Sequence, residues 1–188
     1  MNSNDGLTDG SPELIDMVGA RFEKVASMGT SDADTVLFRT RMAAGRVVPL
    51  HSHMDPECFY VLEGRIEVFV FAGVPRWLEV GAGRSLLVAD GLKHAVRNTS
   101  DQPADLILAT NIRLARYFRE AGRPARPGAE LLPPTPDDIQ RMIRVSDAYG
   151  YWIASPAESA AVTGRQVWHP PKTITGARMA AAGWPEQT

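Results

Sequence analysis

The chain has 188 residues, 44% hydrophobic and 22% charged, with a formal net charge of −2. That length suffices for one cored domain with extensions, and the charge balance gives no reason to expect a nucleic acid or an anionic membrane as partner. Cys58 is the only cysteine, which excludes an internal disulfide framework and a thiolate metal cluster.

Residues 1–12 are polar with acidic spots and carry no basic flank before an apolar run, unlike a secretory signal. No stretch approaches the roughly 18 consecutive apolar residues of a membrane span, so a cytoplasmic protein is expected. Residues 1–19 read as a flexible N-terminal segment. Between residues 20 and 112, short apolar or alternating runs are broken by Gly, Pro, Asp and Ser. Strands are expected at 21–26, 34–42, 58–62, 65–71, 76–80, 85–89, 95–98 and 104–111. So many short strands point to a sandwich or barrel rather than to alternating βα units. The runs 58–62 and 65–71, joined through Glu63-Gly64, read as a hairpin whose glycine supplies the positive φ of a tight turn.

Residues 113–188 change character and read as a helical extension with a tail. Leu114, Tyr117, Phe118 and Ala121 keep helical spacing, and Gly122 follows as a C-cap. A Pro-containing linker, 125–134, leads to Thr135 as N-cap, with Pro136 at N1 and Asp137 and Asp138 at the positive end of the dipole. Ile139, Met142 and Ile143 form that helix's apolar stripe. Ser155-Pro156-Ala157-Glu158 carries the capping-box pattern of a third, short helix ending near Gly164. The tail with Trp168, His169 and Trp184 reads as loop, and His169 is given no ligand role.

The chain has 4 histidines, and their placement is its strongest chemical signal. His51 and His53 are two apart, so on a strand their side chains leave one face with Cα atoms about 6.5–7 Å apart. Two imidazoles at that separation can converge on one ion at about 2.0–2.2 Å. Glu57 follows after the Asp55-Pro56 break, and His94 comes from a distant strand that a barrel can bring opposite. A lone His-x-His is more often a solvated or packing pair than a metal site. Here a carboxylate and a third histidine accompany it, and glycines stand at fixed offsets on both sides.

Those offsets resemble the two motifs of the cupin superfamily. Gly45, His51, His53, Glu57 and Gly64 match the first motif at every defined position. Gly83, Gly91, His94 and Asn98 match the second, with Ala89 where proline is usual. The resemblance, specific over residues 45–98, implies an all-β jelly roll (a double-stranded β-helix) over residues 20–112, with a metal inside. It implies one divalent transition metal ion (Fe, Mn, Ni, Co, Cu or Zn) on His51, His53, Glu57 and His94. Glu57 is the candidate catalytic residue, as ligand or, when displaced, as general base. Phe59 and Val61 share strand parity with Glu57 and are the candidate substrate-pocket residues, with Cys58, Tyr60 and Leu62 facing the other way. Arg39 and Arg41 share one strand face, for which the surface is the favoured location.

Many small single-domain cupins with this ligand set resemble quercetin dioxygenases. The expected activity is therefore a dioxygenase acting on a small enol- or phenol-type molecule. A non-oxidative isomerase or lyase and a non-catalytic small-molecule binding module are the competing readings. The helix at residues 135–149 lacks the coupled helix pair and basic patch of a DNA-binding segment. A homodimer paired through sheet edges is expected.

Overall fold

The computed structural model describes residues 13–164. The readings of residues 1–12 and of Trp168, His169 and Trp184 lie outside the described residues. The chain runs through strands β1 (Leu14–Met17), β2 (Ala20–Met28), β3 (Thr35–Met42), β4 (Val47–Ser52), β5 (Glu57–Glu63) and β6 (Arg65–Ala72). It continues through β7 (Val74–Gly81), β8 (Ser85–Val88), β9 (Lys93–Arg97), β10 (Ala104–Asn111) and helix α1 (Ile112–Ala121). Then come β11 (Arg123–Pro124), α2 (Pro136–Tyr149), β12 (Trp152–Ile153) and α3 (Pro156–Thr163). The strands form a 7-stranded sheet, ordered β11-β1-β2-β3-β10-β5-β8, and a 5-stranded sheet, ordered β12-β4-β9-β6-β7. The fold is the expected all-β jelly roll with helices at its C-terminal end.

Period-two alternation makes the strands and aims them. In β3, Val36, Phe38, Thr40 and Met42 are buried while Thr35, Arg39 and Arg41 face solvent, so one face of the pleat supplies the core. Arg39 and Arg41 thus lie on the outer surface, where Arg41 pairs with Asp105 at 2.9 Å. β5 obeys the same parity: Glu57, Phe59 and Val61 are buried, whereas Tyr60 and Leu62 are exposed. Phe38, Val61, Ile66, Val68 and Leu108 are almost wholly buried between the sheets.

Three expectations are corrected. The flexible segment 1–19 reaches too far, because Leu14–Met17 pairs with β2 from Leu14↔Glu23 to Met17↔Ala20. That apolar run is too short to show a period, and a turn at Val18 (φ 43°) and Gly19 (φ 82°) folds it onto its neighbour. The short strands Val47–Ser52, Arg123–Pro124 and Trp152–Ile153 add to the eight expected, the first despite Pro49 within it.

The expected hairpin across Glu63-Gly64 is not one. β5 pairs with β10 and β8, whereas β6 pairs with β7 and β9. Gly64, at φ 75°, carries the chain from one sheet to the other. A positive-φ glycine between apolar runs serves either geometry, and strand partners distant in sequence decide which forms. A Cβ at Gly64 would stand 3.0 Å from the Pro103 carbonyl oxygen and 3.2 Å from Ala104 Cα, both backbone atoms that cannot swing aside. Gly64→Ala is therefore expected to cost about 2 kcal/mol. Urea unfolding checks this as a lower midpoint at unchanged slope.

The helices are packed onto the barrel. Asn111 caps α1 by accepting from Leu114 N at 2.9 Å, and Phe118 stacks on Phe22 with centroids 4.4 Å apart. Gly122 ends α1 at φ −83° rather than in a left-handed cap. Its lack of a side chain is needed for packing, since a Cβ would strike Ile15 Cγ2 and lie 2.7 Å from Phe118 O. The capping boxes expected at Thr135/Asp138 and Ser155/Glu158 are both formed. On α2 the buried residues are Ile139, Met142 and Ser146; Ile143 is half-buried. Beyond α2, β12 joins the edge of β4 through Trp152↔Ser52 and Ile153↔His51. No helix among the described residues is long and apolar enough to cross a membrane.

Candidate metal centre

The ladder of the smaller sheet assembles the site. His51 lies near the end of β4, directly opposite His94 on β9 and Ile153 on β12. His53 leaves the end of β4, and Glu57 opens β5 in the other sheet. The backbone N–H of Gly91 donates to His53 O at 2.8 Å, fastening the turn before His94 to the His51–Glu57 segment. Gly45, Gly64, Gly83 and Gly91, at φ between 67° and 76°, make the turns that frame these strands.

The four expected ligands converge. One donor atom from each of His51, His53, Glu57 and His94 lies within 4.8 Å of the others. Ring centroids are 4.1 Å apart for His51 and His94, 5.4 Å for His51 and His53, and 5.1 Å for His53 and His94. His53, Glu57 and His94 are buried and His51 is half-buried. Nδ1 of His51 lies 2.8 Å from Pro49 O, and Nδ1 of His94 lies 2.9 Å from Leu92 O. A carbonyl only accepts, so both Nδ1 atoms carry hydrogen and the Nε2 atoms are turned to the centre.

Glu57 Oε2 is 2.8 Å from His94 Nε2 and 3.6 Å from His53 Nε2. Burial pushes the Glu57 carboxyl up, but the hydrogen bonds and charges of His53 and His94 outweigh it and hold the group well below its usual range. Burial pulls His94 down, yet its bond to Glu57 and that residue's charge leave it raised. His51 is pushed well below its ordinary value by burial and by His94 and His53. Glu57 and His94 thus face each other at hydrogen-bond distance in a buried cluster of three imidazoles and one carboxylate. That donor set fits a divalent cation, which His51, His53, Glu57 and His94 would hold.

Sequence reading missed what surrounds His53. Its Nδ1 is buried without a hydrogen-bond partner among the described residues and stands 3.9 Å from Asp55 Oδ2. Asp55, itself buried, accepts from Asn111 Nδ2 and Arg113 Nη1, each at 2.8 Å, and from the Tyr151 hydroxyl. The Tyr151 ring lies 5.1 Å from that of His53. One carboxylate beside a ligand therefore ties together the end of β10, the first turn of α1 and the segment after α2. The only local signal was Asp55-Pro56, which reads as a turn.

A cavity of about 80 Å³ lies against the cluster, with His51, His53 and Glu57 in its wall. Phe22, Phe59, Leu108 and Phe118 supply much of the apolar lining, and α2 adds Met142 and Ser146. Phe59 thus lines the cavity as expected. Val61 shares its parity but is sealed in the core, off the cavity wall, because parity selects a face and not the depth at which neighbours fill it. Tyr117 donates to Ser146 Oγ at 2.9 Å, since Ser146 spends its own hydrogen on Met142 O. Burial pushes the Tyr117 phenol up to about 12.

Residues 38–110 match the family described as Cupin domain, and the two antiparallel sheets are the jelly roll of that fold. This stretch is therefore similar to a cupin domain. Its barrel is similar to several solved structures at low identity. They include the cupin domain of Cnp3 from Schizosaccharomyces pombe, at 19% identity and a TM-score of 0.43, covering 56% of this chain and 72% of that one. KdgF from Halomonas sp. is similar at 19% identity and a TM-score of 0.42, covering 50% of this chain and 78% of that one. Oxalate decarboxylase from Bacillus subtilis is similar at 18% identity and a TM-score of 0.45, over 56% of this chain and 30% of the enzyme. None of these says what this chain does. No curated protein sequence matches the chain.

Proposed function

We propose that the protein is a metal-dependent, quercetin dioxygenase-like enzyme acting on a small enol- or phenol-type substrate. In this reading His51, His53, Glu57 and His94 hold one divalent transition metal ion, of Fe, Mn, Ni, Co, Cu or Zn. One observation carries it: four metal-type donors converge, and three of them, His51, His53 and Glu57, stand in the wall of a largely apolar cavity. When bound, the ion supplies a Lewis-acidic centre, redox-active for most of these elements, with one or two positions left for substrate or dioxygen.

The chain's own residues do the rest. Phe22, Phe59 and Phe118 hold an aromatic or aliphatic body and keep water from the reacting atoms. Glu57 stays ionised at the cavity wall, so a carboxylate oxygen is ready to accept the proton of an enol or phenol hydroxyl, with His94 Nε2 2.8 Å behind it. Tyr117 stays a neutral phenol and does not compete for that proton. A cytoplasmic homodimer belongs to the same proposal.

Oxygen uptake by metal-loaded protein, with quercetin and simple catechols as substrates, tests it. Turnover is expected in air and is expected to stop under nitrogen. Equal turnover under nitrogen, or full activity with zinc, overturns the dioxygenase in favour of a non-oxidative isomerase or lyase. Binding without turnover favours a binding module.

A further inference from the structure

Thr40 breaks the pattern of its strand. Its inward-facing companions on β3 are Val36, Phe38 and Met42, and in the sheet it stands between Phe22 on β2 and Leu106 on β10. Thr40 is only 4% exposed. Thr40 lines the cavity, and its buried hydroxyl has no hydrogen-bond partner among the described residues. The backbone groups around it are engaged in the β2 and β10 ladders, and Phe22 and Leu106 offer nothing polar. A buried hydroxyl without a partner destabilises a protein, and valine would fill the same space without that cost.

The position of that hydroxyl sets a length. Leu106 is paired with both Thr40 and Val61, so Thr40 stands level with Val61. Val61 lies four residues along β5 from Glu57, roughly 13 Å by the strand rise. Thr40 and the metal donors therefore lie toward opposite ends of one cavity, with Phe59 and Leu108 between them along the strands.

We propose that Thr40 is a substrate-contact residue that sets specificity. Its hydroxyl exchanges a hydrogen bond with a hydroxyl or carbonyl group on a ligand whose other end reaches the metal donors. This rests on the metal-site reading and narrows its substrate class. The ligand is on the order of 10 Å long, with an enol- or phenol-type group at one end, an apolar middle and a second polar group at the far end.

The test uses two probes of equal shape, 4-(3-hydroxypropyl)catechol and 4-butylcatechol, binding to Co(II)-loaded protein under nitrogen. In the wild type the hydroxypropyl probe gains from Thr40, and in Thr40→Val its affinity relative to the butyl probe falls about tenfold. A ratio unchanged between the two proteins overturns the proposal, as does failure of both probes to bind Co(II)-loaded wild type. In metal-free protein Thr40→Val raises the melting temperature by about 2–4 °C, because an orphaned hydroxyl is removed. A lowered melting temperature means that Thr40 already has a structural partner, which also overturns the proposal. Failure of the metal reading shows separately, as no Co(II) uptake by the wild type, and Thr40 is then decided by the melting temperature alone.

Discussion

Asp55→Ala is expected to lower the stability of the metal-free protein by about 3 kcal/mol, the largest single loss outside the apolar core. Asp55 is 3% exposed and receives three donors from parts of the chain far apart in sequence: Asn111, Arg113 and Tyr151. Arg113 also donates to Tyr149 O at 2.6 Å, and its guanidinium lies 5.0 Å from the centre of the Tyr151 ring. Removing the carboxylate takes away the acceptor of the Tyr151 hydroxyl, which keeps only a 3.4 Å contact from Arg113 Nη1, and leaves Arg113 without its counter-charge. The Arg113 side chain is 33% exposed and regains some water, which keeps the loss at the low end of the range for broken buried pairs.

The same change frees the residues that seat α1 and the end of α2 over the cavity. It also removes the charge 3.9 Å behind His53, so metal affinity is expected to fall about 10–100-fold. Asp55→Asn keeps the shape and one acceptor oxygen and is expected to lose about half as much stability. Urea unfolding of the three proteins, with metal titration alongside, checks both effects. An Asp55→Ala variant as stable as the wild type contradicts this role of the Asp55 carboxylate.

His94→Ala carries the second large effect, expected on metal binding. His94 is 1% exposed, lies opposite His51 in the ladder and donates to Glu57. Without it three donors remain and the buried Glu57 loses its nearest partner, so affinity is expected to fall more than about 100-fold, beyond what loss of an outer partner costs. Because metal binds the folded chain, a chelator is expected to lower the melting temperature of wild-type protein carrying the ion. His94→Ala is expected to melt at one temperature with or without the chelator.

The features that sequence made legible share a short range. Alternation in 34–42 and 104–111 exposed the two central strands of the larger sheet, and capping patterns at Thr135 and Ser155 marked two helix starts to the residue. His51, His53 and Glu57 lie within seven positions, so strand parity and one turn aim them together. His94 entered through the offsets of its glycines, and the ladder places it opposite His51. What escaped depends on partners chosen at long range. Glu63-Gly64 carries an ordinary hairpin signal, yet β5 finds β10 and β8 while β6 finds β9 and β7. Arg123–Pro124 and Trp152–Ile153 are too short to show a period and exist because edges of β1 and β4 are free to receive them. Asp55 reads as a turn residue until Asn111, Arg113 and Tyr151 arrive from residues 56, 58 and 96 positions away. Thr40 reads as one polar letter on an apolar strand face until its surroundings prove to hold no partner among the described residues.

The central claim is that His51, His53, Glu57 and His94 form one metal site, and calorimetric titration of chelator-treated protein with Co(II) tests it most directly. The predicted result is one ion bound per chain in the wild type and none at comparable concentrations in folded His94→Ala. No uptake by the wild type, or undiminished uptake by the variant, would contradict it.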